Sequence, residues 1–399
     1  MACLAAMEPL SKAAQVPAAI RVETVSDYRD FLALEPVWNE VAEAAGLDHP
    51  FLEHAWVRTW WECFGAQSSL RILVLKAGER TVGIAPLILT PIRMWGIKVR
   101  RLGFFYNAHV PRADFLIAQR PDEAYRAIWD HLSQNHDWDL LQLCQVPEGS
   151  KTLAAVPSLA AQDHCRIVTW LSGSSPYLPL LDSWSTYFDS LAAKHRSNLR
   201  NRFKRLNAIG PVEAETITSS KELEGALEAG FQLEAAAWKG EAGTAISCDP
   251  AISKFYTTFA LRAAGRGWMK LSFLRAGPQR VAFDYSLSYK NRIHLLKLGY
   301  DPAFAPYSPS NLLLSMVLQS AFEQNVREYD FLGESADWKV SWTKESRPHY
   351  WLFVYSCTFK GQLLHFIKAR FVPLLKRSSL RRVRKLILRL ATYVQQPRK

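Results

Sequence analysis

Two turn sequences, Ala77-Gly78-Glu79 and Ala276-Gly277-Pro278, each join a pair of apolar runs, and they restrict this chain more than any other feature. Glycine in a short turn between such runs is β-hairpin chemistry. Strands are therefore predicted at residues 71–76 and 82–89 in the first half, and at 269–275 and 280–288 in the second. Helical periodicity precedes each hairpin, at 36–45 and 54–64, then at 184–209, 220–238 and 250–265. After the first hairpin come strands at 114–117, 140–145 and 166–170, with helices at 122–134 and 151–161. After the second come a strand at 292–299, a helix at 309–324 and strands at 328–332 and 350–357. The chain has 399 residues, beyond the usual size of one domain. The repeated order gives a mixed α/β (α+β) protein of two tandem units, each a central sheet covered by helices. The expected division is a leader over 1–20, units over 21–175 and 176–359, and a tail over 360–399.

Composition narrows the classes. Hydrophobic residues make up 49% and Trp numbers 14, ample for packed cores. The six cysteines are widely spaced with no CxxC, which argues against a zinc site and a disulfide framework, so they read as structural thiols in a reducing compartment. The first 20 residues lack a basic leader followed by a sustained apolar core, so they read as a loose leader and not a signal peptide. No window has the uncharged apolar length of a spanning helix, and a cytoplasmic protein is expected. From Lys360 to Lys399 there are 12 Lys or Arg and no Asp or Glu, so this tail accounts for the whole net charge of +12. A neutral body with a basic tail points to an anionic surface at the tail and other work in the body.

The segment 281–339 carries the strongest local pattern. A strand ends at Gly299, and Pro302 and Pro306 are expected to keep 301–307 extended. Ser308 then stands as N-cap with Pro309 at the first helical position. Leu312, Leu313, Met316, Val317 and Phe322 form the apolar stripe behind it. A helix start leaving a sheet offers N–H groups and a positive dipole end to phosphate, although a plain capped helix has the same sequence. The run 194–206 alternates Lys194, His195, Arg196, Arg200, Arg202, Lys204 and Arg205 with Leu199, Phe203 and Leu206, either a solvated helix face or a phosphate clamp.

Three stretches in this order, ALEAGFQLEAAAWKGEAGTAI, VAFDYSLSYKNRIHLLKLGYDPAFAPYSPSNLLL and EYDFLGESADWKVSW, resemble the CelD/BcsL-type acetyltransferase family of the GNAT superfamily. That family is associated with cellulose and exopolysaccharide biosynthesis. More distantly the chain is similar to the tandem GNAT-like FemABX peptidyltransferases. The resemblance implies acetyl-CoA or a longer acyl-CoA held by the strand–loop–helix element, near the backbone of 307–311, with Tyr307, Ser308, Ser310 and Asn311 as contacts. Ser310 stands where the family usually has Gly. His195, Arg196 and Arg200 match the family's H-R-x-x-x-R pattern and join the donor-binding set. GNAT chemistry asks for a backbone N–H to polarise the thioester and for a general base and acid. Asp284, Glu234 and Glu334 are the base candidates; Tyr300 and Tyr285 are the acids. Trp338 and Lys339, with Trp238 and Lys239, are expected to border the acceptor. No metal is called for.

In the tail, Leu380, Val383, Leu386, Ile387, Leu390 and Val394 follow helical spacing opposite Arg381, Arg382, Arg384, Lys385 and Arg389. Such a basic amphipathic helix suits an anionic inner membrane face; nothing resembling a nucleic-acid module accompanies it. The expected activity is acyl transfer from acyl-CoA to an amine or hydroxyl of a polysaccharide, cell-envelope precursor or lipid-linked acceptor, with a small-molecule or lipid- or sugar-linked partner. An aminoacyl-tRNA donor, as in FemABX proteins, and a non-catalytic precursor-binding module are the alternatives.

Overall fold

The structure is a computed structural model and describes residues 18–217, 220–236 and 243–371. The first half contains strands β1 (Ile20–Val25), β2 (Ser69–Leu70), β3 (Ile72–Ala77), β4 (Arg80–Ala85), β5 (Leu87–Met94), β6 (Ile97–Phe104), β7 (Leu116–Ile117), β8 (Leu140–Pro147) and β9 (Arg166–Pro179). The second contains β10 (Val212–Ile217), β11 (Met269–Ala276), β12 (Gln279–Tyr289), β13 (Arg292–Tyr300), β14 (Glu328–Asp330) and β15 (Ser346–Tyr355). Eleven strands form one sheet in the order β10-β11-β12-β13-β14-β9-β15-β8-β6-β5-β2, and β1-β3-β4-β7 form a second. Both halves thus have the mixed sheet and covering helices that the element order predicts.

Two long strands weld the halves. β9 pairs with β15 from Arg166 to Pro176 and with β14 at Tyr177–Pro179. The last strand of the described residues, β15, lies between β9 and the first-half strand β8. Gly173-Ser174-Ser175-Pro176, at the expected division between the two units, therefore runs inside a strand. Helices add a second seam. The helix His54–Phe64 crosses Pro250–Ala264, where Trp56 meets Phe255 and Phe259 edge-on at 5.1 and 4.7 Å. Edge-to-face aromatic pairs of this kind add to plain burial.

Several expectations change. The predicted strand 82–89 is two strands that part at Pro86, which has no N–H to continue a ladder. The second of them forms an unforeseen hairpin with β6 across Trp95 (φ 49°) and Gly96 (φ 84°), the two positive φ values that a tight hairpin turn requires. β1 and β10 were not anticipated either. The predicted helix 184–209 is two helices, Trp184–Ser190 and Ala193–Asn207. Leu191 and Ala192 are extended between them, and the Arg196 guanidinium donates to the Asp189 and Leu191 carbonyls to hold the break. Cys165 and Cys357, far apart in sequence, bring free sulfurs to 2.6 Å.

Candidate active site

β13 and β14 run parallel and pair only at Arg292–Glu328, Ile293–Tyr329 and His294–Asp330. Beyond His294 the two strands part while β13 continues to Tyr300, so the sheet opens as a V. At the mouth the β12–β13 register shifts: Ser286 faces Leu295 and Tyr285 faces Lys297, and Leu296 has no partner on β12. Such a bulge re-aims the backbone of its extra residue. The helix Ser220–Ala235 lies so close to β13 that a Cβ on Gly299 would sit 2.7 Å from Glu234 Cα and 2.6 Å from Phe283. Only glycine permits that approach.

The approach brings a polar group to the bulge. Glu234 is buried, with Oε2 accepting the Ile246 N–H at 2.9 Å and Oε1 4.0 Å from Lys297 Nζ. Lys297 Nζ stands 5.0 Å from the Tyr256 ring centre. The Tyr256 hydroxyl lies 3.1 Å from Nδ1 of His109, a residue of the first half. Burial, then the Lys297 charge, pushes the His109 imidazole down to about 4, so it is neutral at pH 7. Burial, then Tyr285 and Glu234, holds the Tyr256 phenol well above its usual range. A carboxylate, an ammonium and a phenol backed by a neutral imidazole thus converge beside one strand irregularity. Sequence reasoning found only Glu234; Lys297, Tyr256 and His109 are too distant in sequence to give a motif.

The helix Pro309–Glu323 starts beyond β13, and Ser310 Oγ donates to the Gly299 carbonyl at 3.4 Å. Residues 302–307 are a 3-10 helix, not extended chain, with Asp301 capping the Ala303 N–H. Ser308 is the N-cap, but in the left-handed region (φ 47°) and with no side-chain cap bond. Its own N–H donates to Ala305, the Asn311 N–H donates to Ser308, and Pro309 has none. That leaves the Ser310 N–H without a backbone acceptor among the described residues, a thinner cradle than the resemblance implies. Side chains compensate: Arg205 lies 5.2 Å from the Tyr307 ring, beside the helix start. Asn311 Oδ1 accepts from Trp342 Nε1 at 3.3 Å, and His195 meets the Trp342 ring edge-on at 4.6 Å. Burial, then Arg202, lowers the His195 imidazole below its usual value. Arg196 is spent on the helix break, whereas Arg200, 5.3 Å from the Phe188 ring, is exposed.

Other predicted residues lie apart. Asp284 alternates with Tyr285 on β12, so it faces away from Tyr256 and Glu234. It is 1% exposed, receives Ser286 Oγ and the Tyr329 hydroxyl (3.1 Å), and burial pushes it up to about 6. Tyr300 packs on that same far side, in the cluster of Leu312 and Leu313. Glu334 is exposed in the turn after β14, 3.6 Å from the position of a Gly173 Cβ. Lys339 Nζ straps that turn by donating to the Leu332 and Glu334 carbonyls, and Trp338 packs on Phe331. Trp238 and Lys239 lie outside the described residues.

The apex of the V is pinned electrostatically. Arg112, from the first half, donates to the buried Asp330, which also receives Arg347 at 3.2 Å and the Leu332 N–H at 2.9 Å. These cations hold the Asp330 carboxyl far below its usual range against the desolvation that would raise it. Arg112 and Arg347 also line a cavity of about 620 Å³ with His49, Asp114, Lys151 and Tyr177, none of which belongs to the Glu234 group.

Residues 193–340 match the acetyltransferase (GNAT) domain. The GNAT match thus spans the bulge, the 309–323 helix and the turn with Trp338 and Lys339, but not the first half. The CelD/BcsL resemblance rests on the motifs alone. No curated protein matches the chain in sequence. Among solved structures, FemX is 12% identical with a TM-score of 0.55, over 83% of this chain and 98% of its own. A conserved protein of unknown function from Bacteroides thetaiotaomicron VPI-5482 is 9% identical with a TM-score of 0.53, over 84% and 100%. A tandem GNAT protein from the clavulanic acid pathway is 15% identical with a TM-score of 0.45, over 84% and 98%. The likeness to FemX runs through both halves, so the overall architecture is a FemX-like fold, with the GNAT domain match lying in its second half.

Proposed function

We propose that this chain is an acyltransferase that moves an acyl group from acyl-CoA to an amine or hydroxyl of a cell-envelope, polysaccharide or lipid-linked acceptor. The observation that carries the reading is the V between β13 and β14, with the Leu296 bulge and the buried Glu234 at its mouth. An extended pantetheine arm fits where two parallel strands stop pairing. Its phosphates meet the start of the 309–323 helix through the Ser310 N–H, Arg205 and Arg200. At the bulge, backbone N–H groups polarise the thioester carbonyl. Glu234 takes the proton of the attacking amine or hydroxyl, and Lys297 offsets the charge that builds on the tetrahedral oxygen. The carbon–sulfur bond then breaks and the Tyr256 hydroxyl gives its proton to the departing thiolate; Glu234 releases the proton it took to solvent, Tyr256 regains one from solvent, and the neutral His109 imidazole holds the Tyr256 hydroxyl in place. Asp284, on the far face, ties β12 to β14 through the Tyr329 hydroxyl in this scheme.

The test is release of free thiol from acyl-CoAs of graded chain length in the presence of acceptor extracts. Turnover is expected with at least one chain length, and Glu234→Gln is expected to lower kcat by about 100- to 10,000-fold, the usual worth of a positioned acid–base group. Saturable binding of charged tRNA, with no binding or turnover of any acyl-CoA, would replace the donor. Full thiol release by Glu234→Gln would remove it from the base role.

A further inference from the structure

The helix Phe359–Phe366 is docked the wrong way round for a solvated helix. Leu364 is its buried anchor, joining Met94, Val99, Leu140, Phe353 and Tyr355. Gly361 lies so near Ser356 that a Cβ would meet the Ser356 carbonyl oxygen at 2.2 Å. The opposite stripe, Phe359, Leu363 and Phe366, follows i, i+4, i+7 spacing and is 86%, 36% and 58% exposed. Two exposed phenylalanines on one helix stripe are unusual for a water-facing surface.

What surrounds the stripe is basic. Residues 359–371 contain Lys360, Lys368 and Arg370 with no acid, and 91–101 contain Arg93, Lys98, Arg100 and Arg101 with no acid; Lys360 and Arg100 both pair with the buried Asp139, at 2.7 and 3.0 Å, which leaves Arg93, Lys98 and Lys368 to face outward. Lys368 stands 5.3 Å from the Trp170 ring, and the Arg166 charge reaches His365 on the helix. The β5–β6 hairpin shares the helix's apolar cluster through Ile92, Trp95 and Ile97, while Arg93, Lys98 and Arg100 are exposed. The chain then continues from 372 to 399 with nine further Lys or Arg and no Asp or Glu. Among the described residues, no helix is long and apolar enough to cross a membrane.

We infer that this face is a docking surface for an anionic lipid bilayer, with Phe359, Leu363 and Phe366 entering the interface and the basic hairpin and helix meeting lipid headgroups. Apolar side chains on one stripe with cations around them are the requirements for lying in a charged membrane surface without spanning it. A protein partner would need no such excess of cations. The surface is on the first-half side of the sheet, away from the V, so the inference stands apart from the proposed acyl transfer.

The test is co-sedimentation of the full chain with vesicles of phosphatidylcholine alone and of phosphatidylcholine with phosphatidylglycerol. Binding is expected to require the anionic lipid and to fall as salt rises. The double variant Phe359→Ser/Phe366→Ser keeps every cation of the chain and is expected to lose at least about tenfold in partitioning. Phe359→Trp/Phe366→Trp is expected to retain it, with a blue-shifted emission on vesicles that also reports an intact fold. Equal binding to neutral vesicles, unchanged binding by the serine variant, or loss of self-association and not of lipid binding in that variant would overturn the inference.

Discussion

Glu234 and Asp284 are both acids on the predicted list, and the structure gives them different surroundings. Glu234 faces a cation and a loop; Asp284 has both oxygens satisfied by hydroxyl donors inside the sheet. Sequence spacing could not separate them, because the bulge at Leu296 and the alternation of β12 decide which face each acid shares. The same limit hid Lys297. Lys297→Met is expected to reduce kcat by at least about tenfold with a smaller change in acyl-CoA affinity, measured by single-turnover thiol release and calorimetry. Removing one member of a buried ion pair leaves its partner desolvated and uncompensated. Arg112→Met is therefore expected to destabilise the fold by about 3–5 kcal/mol in urea unfolding.

At the scale of elements, the helix start at Ser308-Pro309 and both hairpin turns were legible because they depend on local chemistry. The 3-10 turn before that helix was not, since two prolines fit an extended loop and a tight helical turn equally well. The break at Leu191-Ala192 was invisible for another reason: Arg196 stabilises it through carbonyls, which no side-chain pattern records. Gly299 is the element-scale pivot of the site. Gly299→Ala is expected to push the 220–235 helix off β13 and weaken acyl-CoA binding by at least about tenfold by calorimetry, while Gly149→Ala, where a Cβ meets nothing within 4 Å, is expected to leave it unchanged.

The whole molecule differs from two beads on a string. The tandem order was readable, but the passage of β15 into the first-half sheet was not, because partnership between strands so far apart in sequence, such as Tyr355 with Leu140, leaves no local mark. Buried histidines at the junction make this assembly acid-sensitive. His109 and His349 are both held down to about 4 by burial, with neighbouring cations adding to it. Their unfolded forms take up protons near pH 6.5 and the folded forms do not, so their contribution is intact above about 6.5 and lost as pH falls towards 4. Asp284, raised to about 6, acts in the opposite sense between about 4 and 6. His49, His54 and His294 are lowered by burial as well, and Glu53 and Asp114 raised, so lowered histidines outnumber raised carboxyls; the urea midpoint is expected to drop from pH 7 to pH 5, and His349→Gln is expected to flatten that slope.

The central claim is that the V between β13 and β14 receives the acyl donor. Hydrogen–deuterium exchange of the full chain with and without acetyl-CoA tests it at the backbone itself. Slower exchange is expected at Leu296–Gly299 and at Ser310–Leu312 on saturation. Saturable binding with protection confined to other segments, such as the 147–151 rim of the cavity, would contradict it.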